Sequence, residues 1–400
     1  MKYSAPAPQD WSDAQPHAMW AEARAAGAAV PAAPSSFDAR DAVVITQFAA
    51  ADAVVRDAAT YSSSIHTQTA GVFKGETMRG MDGDEHRRHR ALVATAFRPS
   101  AVEQWRATAI EPVIHELIDA IAPLGRADLV ADVTTRFPVQ VICTIIGLPR
   151  DDHQQFVEWS EAINLGVLDP ERGHAAADAL TAYLRPIVEA RRADPTDDLI
   201  SGLVHAELDG ERLSEDRIFS FLRLLVPAGA ETTSRAMGSA LVALLTHPEA
   251  LAAVRDDRAT LPAVVEECLR WETPVAMVMR ITTRDTEIDG CPISAGTPVT
   301  VLTSSANHDE RRWPDPDTWQ PDRALQPNLA FGAGPHACLG VNLARAELHV
   351  GLGALLDRLP GLALDPDDAE PVVAGYAFRG PQRLPVVFDG LGSPAMGGSR

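Results

Sequence analysis

The segment Phe331-Gly332-Ala333-Gly334-Pro335-His336-Ala337-Cys338-Leu339-Gly340 delivers a single cysteine to the start of an apolar-periodic helix. Its glycines free the backbone and let a flat ligand approach the main chain closely. The first turn of the following helix has unpaired N–H groups, and these donors together with the helix dipole favour thiolate over thiol at Cys338. A thiolate held in this way beside an open backbone surface suits an axial ligand of haem iron, where it favours O–O cleavage. A cysteine standing alone is more often a small buried hydrophobe. The intact glycine loop argues against that reading here.

A second group, Ala228-Gly229-Ala230-Glu231-Thr232-Thr233, lies inside a helical stripe running from Leu222 to Leu244. Glycine and hydroxyl residues are poor choices for the middle of a helix. Threonine can divert backbone hydrogen bonds, and Pro227 removes a donor just upstream, so a local kink and an opened groove are expected. Such a groove could admit dioxygen and water. A third group, Glu267 and Arg270, places both side chains on one helical face by its i, i+3 spacing. By itself that spacing describes a solvated pair worth a few tenths of a kcal/mol. His86 and Arg90 share a face at i, i+4, and alone they read as an exposed basic surface.

The cysteine loop matches the pattern F-G-x-G-x-H-x-C-x-G completely, and the chain resembles the cytochrome P450 superfamily of haem-thiolate monooxygenases from about Trp20 to Phe388. The resemblance implies a mainly α fold with small β-sheets, with the haem sandwiched between the Thr-rich long helix and the cysteine-loop helix. It implies that Cys338 ligates the iron of haem b. Phe331, Gly332, Ala228 and Gly229 would line the cofactor, and His86, Arg90, Arg280 and His336 would meet its two propionates. Glu231 and Thr232 would form the acid–alcohol pair that delivers protons. Glu267, Arg270 and Arg323 would form a buried structural triad. Asn328 and His308 depart from the residues common in the family at those places, and neither is a proposed ligand.

The same resemblance makes Tyr61–Arg79 a lid over the substrate, together with a helix pair flanking Leu165–Asp169. Val72, Phe73, Val275, Met277, Val278 and Phe378 are the expected apolar lining, and Lys74 or Arg79 are candidates to pair with a substrate carboxylate. The implied reaction inserts one oxygen atom from O2 into a lipophilic small molecule such as a terpenoid, steroid, fatty acyl chain or polyketide. Two alternatives stand beside it: a peroxide-driven or oxidative-coupling haem-thiolate enzyme, and a non-catalytic haem or lipophile-binding protein. No flavin or iron–sulfur segment is evident, so electrons are expected from a ferredoxin and its reductase. Arg87 and Arg98 are candidate docking contacts.

The elements that must position these residues read mostly at helical period, as in Ile110–Ile121, Ala175–Arg191, Glu215–Leu245 and Pro248–Trp271. Short alternating runs at Ala42–Ile45, Arg280–Ile288, Thr297–Leu302 and Leu384–Phe388 fit small sheets. The 400 residues show no internal linker or repeat, which gives residues 1–19 as an N-terminal extension, 20–389 as a single domain and 390–400 as a flexible tail. Residues 1–10 also read as mobile. Four widely spaced cysteines, Cys143, Cys268, Cys291 and Cys338, fit reduced thiols. The start lacks a basic stretch followed by an apolar core, and no apolar run is long enough to span a bilayer, so a cytoplasmic protein without a membrane anchor is expected. A formal charge of −20 opposes binding to nucleic acid.

Overall fold

The longest element starts where the sequence places its strongest start signal. Ser214 caps Glu215–Thr246 by accepting from the Arg217 N–H, and Glu215 and Asp216 sit in the first turn, where the helix dipole favours acids. The computed structural model describes residues 2–33, 40–69, 71–208 and 210–390. Along them the helices are α1 (His17–Ala26), α2 (Phe48–Arg56), α3 (Ile65–Gln68), α4 (Gly71–Lys74), α5 (Gly83–Ala94), α6 (Pro99–Trp105), α7 (Glu111–Ile121) and α8 (Arg136–Ile146). There follow α9 (His153–Asn164), α10 (Pro170–Ala193), α11 (Leu199–His205), α12 (Glu215–Thr246), α13 (Pro248–Asp256), α14 (Leu261–Trp271), α15 (Thr303–Asn307) and α16 (Val341–Arg358).

Helix α12 runs through the main core. Leu222, Val226, Met237, Leu241 and Leu244 on it are fully or almost fully buried, as are Ile142 and Ile145 on α8 and Leu352 and Leu355 on α16. Each such side chain contributes roughly 1.5–3 kcal/mol of burial. The expected long helix Pro248–Trp271 is broken. Asp257 takes an extended backbone and its side chain accepts from the Ala259 N–H, so a 3-10 turn separates α13 from α14.

A five-stranded sheet, ordered Ala29–Ala32, Ala42–Ile45, Pro298–Val301, Val278–Thr282 and Tyr61–Ser62, fixes the parts that matter most for the site. Val299 pairs with Arg280, and Tyr61 pairs with Thr282 two residues further along. The base of the lid is therefore held beside the strand that carries Arg280. A smaller pair, Val373–Ala374 with Gly380–Pro381, forms a hairpin whose tip Phe378 bridges to Val275.

The first residues are not loose. Tyr3 is buried, its hydroxyl lies 2.9 Å from that of Tyr376, and its backbone bonds Pro31 and Ala33. Trp11 and Trp20 join Tyr3 in one apolar cluster, and α1 spans residue 20, so residues 2–19 belong to the main body rather than forming an extension. The expected flexible tail, beyond Gly390, lies outside the described residues. Among the described residues no single helix is long and apolar enough to cross a membrane.

Candidate active site

The cysteine loop is closed on itself: the Cys338 N–H donates to the Phe331 carbonyl at 2.8 Å. Gly332 and Gly334 take positive φ of 65° and 70°, the left-handed region that glycine enters without strain. They serve different ends. A β-carbon on Gly334 would strike Arg56 Cα at 2.8 Å, so this glycine lets the loop seat on α2, whereas nothing lies within 4 Å of where a β-carbon would stand on Gly332 or Gly340. Cys338 keeps accessible surface. The surrounding protein nevertheless raises the thiol pKa, against the Gly340 N–H and the positive charges of Arg90 and Arg345, which lower it. Phe331 lies under the Arg345 guanidinium, 5.1 Å from its ring centre.

Four predicted propionate partners converge on this loop from three elements. His86 and Arg90 come from α5, Arg280 from the central sheet and His336 from the loop itself. The rings of His86 and His336 lie 4.1 Å apart, and His336 Nε2 is 3.1 Å from Asp82 Oδ1. Burial works against the Asp82 carboxylate, yet hydrogen bonds from His336 and Ser62 hold its pKa below the usual value. Burial, reinforced by His336 and Arg90, lowers His86 to about 4, so the ring is neutral at pH 7. His86 Nδ1 and Arg280 Nε are both buried without a hydrogen-bond partner. Buried polar nitrogens seldom stay unpaired, and two of them beside a cysteine loop with an open backbone face fit an anionic, flat cofactor.

Helix α12 is unbroken across Pro227. The expected opening reduces to the lost N–H of Pro227 and to the Thr232 hydroxyl, which donates to the Ala228 carbonyl at 3.0 Å. Ala228 is exposed although Val226, Pro227 and Ala230 around it are buried. At Gly229 a β-carbon would meet Ile142 at 2.8 Å, so this glycine permits close packing of α12 on α8. Glu231 is held on both oxygens, by Arg235 on Oε1 (2.7 and 3.0 Å) and by the Asn164 amide on Oε2 (2.6 Å).

Residues Tyr61–Arg79 contain α3, α4 and a 3-10 turn, Met78–Gly80, rather than one irregular loop. Val72 is 53% exposed, whereas its α4 neighbours Phe73 and Lys74 are buried. Phe73 is buried, inserted where Gly166 and Gly173 would each place a β-carbon 3.0 Å from its ring, which sets the lid on the α9–α10 turn. Lys74 is buried and donates to the Asn164 amide oxygen at 2.8 Å. Burial, with Arg79 nearby, lowers its pKa to about 7, while Glu231 pulls the other way. Val275 and Phe378 meet through their bridge, Met277 and Val278 are half-buried beside them, and the Arg235 guanidinium lies 6.0 Å from the Phe378 ring centre.

The Glu267 group is complete. Arg270 forks onto both oxygens of Glu267 at 2.7 Å, and Arg323 Nε reaches Oε1 at 3.0 Å. Their remaining donors bond the carbonyls of Asn307, Pro316, Pro314, Asp315 and Thr318. Sequence reasoning overlooked Asn164 and Arg235, which bind Glu231, and gave no role to His66, a buried histidine whose pKa is driven down by burial and by Arg79 and Arg280. It also overlooked Glu347 on α16, whose burial raises its pKa well above the carboxylate range, against a hydrogen bond with Thr233. Only Arg235 left a signal, its i, i+4 spacing from Glu231.

A glycine-rich cysteine loop with cationic groups gathered at its margin, in a chain that also carries the Thr232 hydroxyl on α12, fits a haem-thiolate enzyme. The comparisons agree: the Cytochrome P450 family model matches residues 35–371, and the chain belongs to that family. It is 36% identical over 358 residues to the mycinamicin IV hydroxylase/epoxidase of Micromonospora griseorubida, covering 87% of this chain and 90% of that one. It is 37% identical over 320 residues to the methyl-branched lipid omega-hydroxylase of Mycobacterium tuberculosis, covering 77% and 74%. Among solved structures, P450BioI in complex with acyl carrier protein ligated to hexadec-9Z-enoic acid superimposes with a TM-score of 0.85 at 29% identity, covering 94% of this chain and 98% of that one. The protein is a cytochrome P450 monooxygenase that binds protoporphyrin IX haem.

Proposed function

We propose that this enzyme hydroxylates or epoxidises a lipophilic small molecule with electrons from a ferredoxin and its reductase, in the cytoplasm. The carrying observation is the pair of unpartnered buried nitrogens, His86 Nδ1 and Arg280 Nε, gathered with His336 around the Cys338 loop. Cys338 would bind the haem iron through sulfur, and His86, Arg90, Arg280 and His336 would hold the propionates. When bound, the haem supplies the activation of dioxygen by delivered electrons. The protein's own work is proton delivery. The Thr232 hydroxyl, resting on the Ala228 carbonyl, donates its proton into the pocket, and Glu231 resupplies it. Glu231 must first leave Asn164, because both of its oxygens are engaged at rest.

The lipophilic substrate class is supported by relatives named for mycinamicin IV and for a methyl-branched lipid, and Val275 and Phe378 are brought together by a backbone bridge. For electron delivery, Arg98 is exposed and Arg87 is exposed though paired with Asp84, and both lie on the stretch that carries His86 and Arg90. The deciding experiment is the carbon monoxide difference spectrum of the reduced protein. A Soret band far to the red is expected for thiolate ligation, and its replacement by the band of a neutral ligand in the parent would overturn the assignment of Cys338. In Cys338→Ser the red band should vanish.

A further inference from the structure

The charges beneath the lid do not balance. Glu231 faces two cations, Arg235 directly and Lys74 through Asn164. Asp82 is already taken by His336 and Ser62. Arg280 donates to the Met279 carbonyl and leaves its buried Nε unpartnered. Arg79, on the 3-10 turn packed so tightly on α3 that a β-carbon on Gly80 would lie 2.8 Å from Thr67 Cγ2, has no hydrogen bond or ion pair with any described residue. Its positive charge is felt by Lys74, Arg280 and His66, so the four groups lie within electrostatic reach of one another.

Lys74 is buried and Arg79 half-buried; a cation withdrawn from water is normally paired, and full removal without a partner costs several kcal/mol. The two propionates of a bound haem would take up Arg280, Arg90 and the histidines of the cysteine side. They leave Arg79 and Lys74, which stand on the lid, with a single carboxylate that Arg235 already holds. We infer that Arg79 and Lys74 form the anion-binding end of the substrate pocket, and that the substrate is a lipophilic carboxylic acid whose carboxylate sits beneath the lid. The planar guanidinium of Arg79 presents paired donors that match a carboxylate, and Lys74 adds a compact charge beside it. The apolar body would then lie against the half-buried side chains of Val275, Met277 and Phe378. The inference rests on the proposed haem-dependent function and specifies its substrate.

The test uses the haem-loaded protein at about pH 6, where Lys74 is charged. Octanoic, dodecanoic and hexadecanoic acids and their methyl esters are titrated, with binding read from the ferric Soret shift and independently by calorimetry. At least one acid should bind about tenfold or more tightly than its ester. Arg79→Gln should erase that preference while haem content and the carbon monoxide band stay as in the parent. Arg79→Lys, which keeps the charge, should retain part of it and controls for damage to the turn. Equal binding of acids and esters, or no saturable binding of any acid, overturns the inference. So does an Arg79→Gln protein that loses haem yet keeps the acid preference, since Arg79 would then belong to the cofactor. Loss of the thiolate band in the parent instead overturns the functional reading beneath.

Discussion

Around Glu267 two guanidinium groups share one carboxylate that also accepts from the Gln320 N–H at 3.1 Å, and the remaining arginine donors meet backbone carbonyls at 2.6–3.1 Å. Around Arg79 the same residue types gather with cations in excess, an unpartnered Arg280 Nε and a lysine bonded only to an amide. The first cluster is finished by the chain itself and fixes the segment between α14 and the cysteine loop. The second is left open to guests. The difference teaches that, among buried charges, completeness of hydrogen bonding separates a structural network from a binding site better than residue type does.

The comparison breaks most readily at Glu267. Glu267→Ala leaves two buried guanidinium groups unpaired and should cost about 3–5 kcal/mol, measured by urea denaturation and by loss of bound haem absorbance. A variant of near-parental stability would mean that the carbonyl contacts alone hold both arginines. Next is Thr232→Ala on the open side. It should leave the fold intact and reduce product formed per electron pair about tenfold to a hundredfold, the shortfall appearing as hydrogen peroxide. Coupling equal to that of the parent would remove Thr232 from proton delivery.

Lys74→Met sharpens the contrast by its sign. The native pKa of about 7 lies below the ordinary 10.5, so the unfolded chain binds the extra proton between these values and stability rises with pH there. The cost of the buried charge is therefore full below pH 7 and fades toward pH 10.5. The variant should be more stable than the parent below pH 7, on the order of 1 kcal/mol or more, with the gap closing as pH rises. Thermal unfolding at a series of pH values reads it, and a gap independent of pH would contradict the burial of the ammonium. Smallest should be Arg98→Glu, slowing reduction by ferredoxin a few-fold at low salt and hardly at all at high salt. Rates that ignore both the charge reversal and the salt would place the electron donor elsewhere.

The sequence made the local chemistry plain and the long-range contacts invisible. The Cys338 N–H closing on the Phe331 carbonyl and the left-handed turn at Gly332 depend on near neighbours, whereas the seat of Gly334 on Arg56 does not. The Glu267–Arg270 spacing was readable, but its completion by Arg323, 53 residues beyond Arg270, came only from family resemblance. Lys74, Asn164 and Glu231 are joined across separations of 90 and 67 residues, and no periodicity encodes that meeting. Val72 and Phe73 show the limit at its narrowest. Adjacent apolar residues in a four-residue helix must face different ways, and only the glycines of the α9–α10 turn decide which one enters.

Tyr3 and Tyr376 meet at their hydroxyls across 373 positions of the chain. During synthesis residue 3 leaves the ribosome long before residue 376 exists, so its seat is absent for almost the whole of translation. The segment carrying Tyr3 and Trp11 must wait through that interval before it can dock. The hairpin that carries Phe378 is thus clamped by residues made 373 positions earlier, and the clamp exists only once both have been made.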